Sequence, residues 1–378
     1  MNRNVLVLGL LLNTTLLYAH KPIFTSQEGT DSNTAVTIEH PNISQVIYRE
    51  LSDDTPQLWL AFEAVKDFEL FVQIGIPVIE QLKYFRPAFA VLGPDLPSIS
   101  LPFSKPKILG GKAFTTVNIE PRFFHEHFTQ TDSWILRSEN ITVPSEGQYY
   151  VVVYSPCEIK GKFWISVGKQ EKFTQDDWQN MEEWGKKIRK FHEVDQETPD
   201  TATIDDFFDP NHLSNIGTTW ILITDRVMGG VSDAKHSFGN DDCFNYIRMV
   251  GNVSLENNGG FVQVALPLSE ESKPFDATGY SGIRFWVKGN SQEYYIHLKN
   301  NTTRLPWQYY SASFIASKNW RQVKIPFEKF EPQALDEKLT LDSLTRIAIV
   351  GAEKAYEADV NIGPIEFYTN KDKIMQNP

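Results

Sequence analysis

Short apolar stretches with alternating polar residues, separated by glycines and prolines, run through most of the chain. This pattern is typical of antiparallel sheets, in which successive side chains point to opposite faces. In the N-terminal half the predicted strands are 44–51, 57–64, 68–76, 89–92, 148–154 and 162–167. A proline-rich loop spans residues 94–111. We therefore expect a mainly β domain over residues 20–173.

The spacing of apolar residues changes after Thr174 from two residues to three and four, which predicts an amphipathic helix over residues 174–192. Its apolar positions are Trp178, Met181, Trp184, Ile188 and Phe191. We expect the helix to pack on its own domain. The alternative is that its two tryptophans contact a partner or a membrane surface peripherally. Polar and acidic residues follow up to residue 206 and predict a linker, so helix and linker are together assigned residues 174–204.

The second half is organised around a strand that ends in a polar, glycine-rich turn, W-I-L-I-T-D-R-V-M-G-G-V-S-D, residues 220–233. The polar pair is Asp225 and Arg226, and Met228 precedes Gly229 and Gly230. Adjacent glycines at the end of a strand predict a positive φ angle or backbone packed too closely for a β-carbon. Asp225 either pairs locally with Arg226 or caps a turn, or it belongs to a binding site.

This turn resembles the signature of the complex I intermediate-associated protein 30 family over D-R-V-M-G-G-V-S, residues 225–232. Further motifs of the family follow in order: G-N-V-S-L at 251–255, N-G-G-F at 258–261, G-I-R-F-W-V-K-G at 282–289 and I-P-F at 325–327. The resemblance covers roughly residues 205–368 and implies a galactose-binding-like, jelly-roll β-sandwich over 205–370. It also implies a binding or assembly role, with Asp225, Arg226, Met228, Gly229 and Gly230 as candidate binding residues.

A second set of candidates comes from strand alternation. The strand that contains Arg284 and Trp286 and the one that contains Tyr295 and His297 are interpreted as a hairpin, with these four side chains on its non-core face. Trp307 extends that face if its strand is adjacent. Aromatic rings beside hydrogen-bonding side chains suit the binding of a sugar or a protein. The alternative is that the N-terminal domain, a loop or water covers this face.

Length and charge narrow the classes of function. At 378 residues, with 41% hydrophobic residues, the chain is expected to form two domains with packed cores. The net charge of -12 argues against a nucleic-acid partner, because a phosphate backbone attracts basic surfaces.

Residues 1–19 have the features of a secretory signal: Arg3, an apolar run over 5–12 and a small residue, Ala19, at the expected cleavage site. We therefore expect an extracytoplasmic protein, periplasmic or secreted. Cys157 and Cys243 lie in different predicted domains. Two free, buried thiols are favoured, with an interdomain disulfide as the alternative.

Metal and cofactor motifs are weak, and we predict no cofactor. On a strand, His125 and His127 would share one face, but they have no third ligand in sequence range, so a solvated loop or strand edge is favoured. Cleavage after Ala19 would make His20 the first residue. Its amine and imidazole could then chelate copper, as in copper-dependent polysaccharide oxygenases, but a flexible terminus is favoured. The leading hypothesis is an exported, non-catalytic binding or assembly factor that acts on a protein partner. A carbohydrate-binding module is second, and a copper-dependent enzyme that uses His20 is third.

Overall fold

The computed structural model describes residues 20–25, 27–194, 201–269 and 274–369. The predicted signal, residues 1–19, and residues 195–200 of the predicted linker lie outside the described residues. Among the described residues, β-strands dominate and form four sheets, which confirms the mainly β class.

The N-terminal half consists of two facing sheets. Its strands are β1 Lys21–Pro22, β2 Val36–Thr37, β3 Gln45–Leu51, β4 Gln57–Ala64, β5 Glu69–Pro77, β6 Ala88–Gly93, β7 Gly110–Phe114, β8 Arg122–Glu126, β9 Thr131–Thr142, β10 Gly147–Tyr154 and β11 Gly161–Val167. Sheet A has the order β1-β3-β11-β5-β9-β8, and sheet B has the order β2-β4-β10-β6-β7. Alternate side chains of both sheets bury a continuous apolar core.

The predicted amphipathic helix is α1, Gln175–Phe191. Thr174 and Asp177 form a reciprocal capping box that satisfies N–H groups of the first turn. The helix packs against sheet A, where the ring of Phe191 lies 5.3 Å from that of Tyr48. Trp178 is instead 62% exposed. Peripheral membrane contact through this ring stays a prediction, and none of the described helices is long and apolar enough to cross a membrane.

The C-terminal half is a second pair of sheets. Its strands are β12 Thr201–Asp205, β13 Ile221–Thr224, β14 Asp233–Asn240, β15 Asn245–Val253, β16 Phe261–Pro267, β17 Gly282–Gly289, β18 Glu293–Asn300, β19 Tyr309–Ile315, β20 Arg321–Pro326, β21 Glu331–Gln333, β22 Leu344–Ala352 and β23 Tyr356–Tyr368. Sheet C has the order β14-β15-β23-β17-β20, with β12 also paired to β23. Sheet D has the order β13-β16-β22-β18-β19-β21.

Two predictions for this half are wrong. Residues 201–204 were assigned to the linker but belong to β12, because their backbone pairs with that of β23. The predicted hairpin does not form either, since β17 belongs to sheet C and β18 to sheet D. The alternation itself is confirmed, because Phe285 of β17 and Ile296 of β18 are both fully buried in the shared core.

The two halves are joined covalently. Cys157 and Cys243 form a disulfide with a Cα–Cα distance of 5.6 Å, so the preference for two free thiols is wrong. Sequence separation gave no indication of this proximity, which arises because the turn before β11 meets the turn before β15. An ionic cluster also crosses between the halves, in which Lys83 binds Glu366 of β23 and Arg284 lies 3.7 Å from Glu80.

Candidate functional site

A cleft of about 820 Å³ lies on the outer face of sheet D, the face turned away from the core. We call it the sheet D cleft. Its floor consists of small and apolar side chains, among which Ala348 and Val350 of β22 are almost fully buried. Because the central strand carries small residues on this face, the neighbouring side chains rise above it as walls. The result is a concave surface with room for a ligand.

The first wall is the loop after β13. Val227 and Met228 are 71% and 46% exposed there and both line the cleft. The loop is held from below by Asp225, which is fully buried and does not reach the cleft. Its carboxylate accepts hydrogen bonds from the backbone N–H groups of Ser232 at 2.9 Å and Gly260 at 2.6 Å.

The ionisation of Asp225 follows from these contacts. Burial alone would raise the pKa of its carboxyl group, but the hydrogen bonds from Ser232, Gly260 and Phe261 favour the charged form and hold the pKa below its ordinary value. Asp225 therefore acts as an acceptor that fixes the loop, which is the local-cap interpretation. The side chain of Arg226 is 62% exposed but also contacts the loop, where its Nε donates to the carbonyl oxygen of Ser232 at 3.0 Å.

The glycine pair satisfies both sequence expectations. Gly229 has a φ angle of +89°, which is the left-handed region. A β-carbon on Gly230 would lie 2.4 Å from Cγ of Asp225. The two glycines therefore allow the loop to turn and let its backbone approach the buried carboxylate, and neither lines the sheet D cleft.

The second wall is the loop between β18 and β19. Trp307 is 53% exposed at its edge. Nζ of Lys299 donates to the carbonyl oxygens of Leu305 at 3.2 Å and Pro306 at 2.9 Å, and the side chain of Gln308 accepts from the backbone N–H of Leu305 at 3.0 Å. These contacts hold the backbone of the loop that carries Trp307.

Between the walls lie polar and aromatic side chains. The ring of His297 stacks on Tyr309 with centroids 3.9 Å apart. Burial, and then the charge of Lys299, lower the pKa of His297 to about 3, so the imidazole is neutral at physiological pH. The hydroxyl of Tyr295 donates to the carboxylate of Glu353 at 2.7 Å, at the opposite end of the cleft from Lys299.

The structure brings together only part of the predicted site. Met228, His297 and Trp307 line the cleft, and Tyr295 packs against its floor. Arg284 and Trp286 do not join them, because they lie on sheet C, on the opposite side of the sandwich. The prediction of one shared face is therefore wrong.

Arg284 and Trp286 are instead used in packing. Nε of Arg284 donates to Glu366, its cross-strand partner. The ring of Trp286 lies 5.0 Å from that of Phe244. The alternative that the N-terminal half covers this face accounts for Arg284, which also faces Glu80 of that half.

The histidines singled out in the sequence make local contacts. Nδ1 of His20 hydrogen-bonds to the hydroxyl of Ser44, and burial lowers the pKa of its imidazole. His125 lies 2.6 Å from the carboxylate of Asp132. No group of three or more metal-ligating side chains occurs within the part of the chain that the structure describes.

Sequence reasoning missed most of the residues that line the cleft, among them Gln263, Arg346 and Glu353. Gln263 interrupts an apolar strand, which is a usable signal. Strand β22 is apolar on both faces, so Arg346 at one end and Glu353 just beyond the other gave no periodic pattern that points to this face.

Fold and cleft together define a β-sandwich module with a candidate ligand-binding groove on one sheet. The sequence profile of the family described as Complex I intermediate-associated protein 30 matches residues 206–362. This match lies in the C-terminal half and confirms the resemblance predicted from the motifs.

Individual relatives are distant. Endoglucanase 3 of Fibrobacter succinogenes is 24% identical over 156 residues, which are 39% of this chain and 23% of the endoglucanase. The chain thus spans less than a quarter of that relative's length. Among solved structures, a family 11 carbohydrate-binding module of a cellulosomal cellulase of Clostridium thermocellum is 16% identical, with a TM-score of 0.36, over 46% of this chain and 97% of the module. A family 29 carbohydrate-binding module in complex with mannohexaose is 13% identical, with a TM-score of 0.29, over 48% and 100%.

Proposed function

We propose that the C-terminal half binds a glycan in the sheet D cleft without cleaving it. The observation that carries this proposal is the exposed ring of Trp307 beside a concave surface with an apolar floor and hydrogen-bonding walls. Aromatic rings stack on the apolar faces of sugars, while groups such as the amide of Gln263 and the imidazole of His297 bind hydroxyls.

The acidic groups of the cleft favour binding over hydrolysis. Glycosidases use a pair of carboxyl groups on either side of the scissile bond. Among the described residues that line the cleft, Glu353 is the only carboxylate, and it already accepts the hydroxyl of Tyr295. A glycan in this cleft would therefore be held and not cut.

One further finding supports a glycan as the ligand, and another supports the predicted location. The name of the relative Endoglucanase 3 denotes action on a glucan, which favours a glycan over other ligands. The disulfide between Cys157 and Cys243 supports the predicted extracytoplasmic location, because disulfides persist in oxidising compartments. The protein partner predicted from the family resemblance stays a prediction.

Affinity electrophoresis of the full chain against a panel of soluble polysaccharides, followed by titration calorimetry, tests the proposal. We expect Trp307→Ala to weaken binding roughly tenfold or more, because the stacking surface is lost. Trp178→Ala is the matched control, since that ring is 62% exposed on α1 and far from the cleft. Retardation by no polysaccharide, or equal affinity of Trp307→Ala and the parent, would contradict the proposal.

A pull-down with the same variants distinguishes the assembly-factor hypothesis from the glycan-binding proposal. A protein that the parent and Trp178→Ala capture but Trp307→Ala does not, in the absence of glycan binding, would assign the cleft to a protein partner instead.

A further inference from the structure

Two cations lie side by side in the sheet D cleft. Lys299 of β18 and Arg346 of β22 are direct cross-strand partners, and both line the cleft. Like charges directly opposite each other in an antiparallel pair destabilise the sheet. Folding alone therefore does not explain why both positions are basic in a chain with a net charge of -12.

No carboxylate of the described residues neutralises this pair. Lys299 donates to the carbonyl oxygens of Leu305 and Pro306, which carry only partial charges. Arg346 is partly buried, and its guanidinium makes no hydrogen bond or ion pair within the described ranges. Arg304 adds a third cation to the same end of the cleft. Burial and the charge of Arg346 also lower the pKa of Lys299, as expected for two close cations without a counter-ion.

The only carboxylate among the described lining residues is too far away to compensate. Glu353 follows Arg346 by seven positions along and just beyond β22, which corresponds to about 23 Å of extended chain. Its carboxylate is engaged by Tyr295. One end of the cleft is therefore cationic, and the other end carries the acid.

We infer that the ligand of the sheet D cleft is an acidic glycan, with a carboxylate or sulfate group bound between Lys299 and Arg346. This inference rests on the proposed glycan-binding function and adds the charge class of the ligand. A guanidinium binds such an anion through paired, charge-assisted hydrogen bonds, and the ammonium group beside it contributes a second charge. The neutral floor and Trp307 would then contact the sugar rings.

Matched pairs of polysaccharides that share a backbone and differ in charge test this inference. The probes are polygalacturonate and its methyl ester, alginate and its propylene glycol ester, and dextran sulfate and dextran. We expect the full chain to bind at least one charged member roughly tenfold or more tightly than its neutral counterpart, and less tightly as salt is added. The carboxylated and sulfated pairs distinguish the two anions.

Variants show whether the effect belongs to the cleft. Arg346→Gln should reduce the preference for the charged member roughly tenfold, and it removes no hydrogen bond or ion pair with a described residue. Lys318→Gln is the control, because it removes the same charge from an exposed turn between β19 and β20. Equal weakening by both variants indicates non-specific attraction and overturns the inference.

The remaining outcomes separate this inference from the function on which it rests. Equal binding of charged and neutral members, unaffected by Arg346→Gln but lost in Trp307→Ala, overturns the acidic ligand and keeps the glycan site. Binding of neither member of any pair, together with no retardation in the wider panel, contradicts the glycan-binding function itself.

Discussion

The carboxylate of Asp225 accepts a hydrogen bond of 2.6 Å from the backbone N–H of Gly260, 35 positions further along the chain. This bond holds the loop that carries Met228 against the turn before β16. Two residues of the segment that resembles the family signature therefore have different roles. Asp225 is buried and holds the loop, whereas Met228 is 46% exposed. The conspicuous polar residue holds the loop in place, and its apolar neighbours Val227 and Met228 line the sheet D cleft.

Replacement of this acid tests the structural role. In Asp225→Asn, one oxygen becomes an NH₂ group that faces backbone N–H donors, so hydrogen bonds are lost in a buried site. We expect the free energy of unfolding to fall by about 3 kcal/mol, measured by urea denaturation. Asp233→Asn is the control, because that side chain is 77% exposed. Equal stability of the two variants would show that the buried acceptor is dispensable.

The disulfide between the halves is predicted to stabilise the folded chain. Cys157 and Cys243 are 86 positions apart, so the bond restricts a large loop in the unfolded state. Replacement of both by serine should lower the free energy of unfolding by about 2–4 kcal/mol. Thermal melting with and without dithiothreitol checks this, and the double variant should be insensitive to the reductant. A parent whose melting does not respond to complete reduction would contradict the prediction.

Stability should also depend on pH through His297. Burial lowers its folded-state pKa to about 3, whereas a free imidazole titrates near about 6.5. Between these values the unfolded chain binds a proton that the folded chain does not. The contribution of His297 is therefore complete above about pH 6.5 and decreases as the pH falls toward 3.

His297→Gln removes this contribution, so its free energy of unfolding should fall less steeply than that of the parent between pH 6.5 and 4. His20 and His192, whose pKa values burial also lowers, remain in both proteins and cancel in the comparison. Identical slopes for His297→Gln and the parent would mean that the imidazole is solvated.

Strand positions were accessible from the sequence where apolar and polar residues alternate. Residues 57–64 were predicted as a strand and form β4. Strands β7, β8 and β9 were not predicted, because exposed polar residues interrupt their apolar positions. The alternation in β17 and β18 gave the correct buried faces but not the pairing, since period two identifies the face of a strand and not its neighbour.

The predicted site was only partly correct for the same reason: strand alternation does not show which strands are neighbours. Arg284 and His297 each lie on the non-core face of their strand, as predicted, but the chain crosses from sheet C to sheet D between them. The two outer faces of a sandwich point in opposite directions. Arg284 and His297 are both on outer faces, and they therefore lie on opposite sides of the molecule. Arg346 contributes to the cleft only through pairing of β22 with β18, a contact that no local pattern indicates.

Trp286 and Trp307 provide a direct test of this assignment. The ring of Trp286 packs at 5.0 Å against Phe244 on sheet C, and its Nε1 is buried. Trp286→Ala should therefore lower the free energy of unfolding by about 2 kcal/mol and leave glycan affinity unchanged. Trp307→Ala should do the reverse: affinity falls roughly tenfold, and stability stays within about 0.5 kcal/mol of the parent, because the ring is half exposed.

Both variants are measured for thermal unfolding and for binding to the tightest polysaccharide of the panel. The sequence analysis assigned Trp286 to a non-core binding face, from which Trp286→Ala would weaken binding and leave stability unchanged, so the two assignments give opposite results for one substitution. Loss of affinity in Trp286→Ala at unchanged stability would return the binding face to sheet C. Loss of stability without loss of affinity in Trp286→Ala would show that the Trp286 ring stabilises the fold, and it would agree with a binding site in the sheet D cleft.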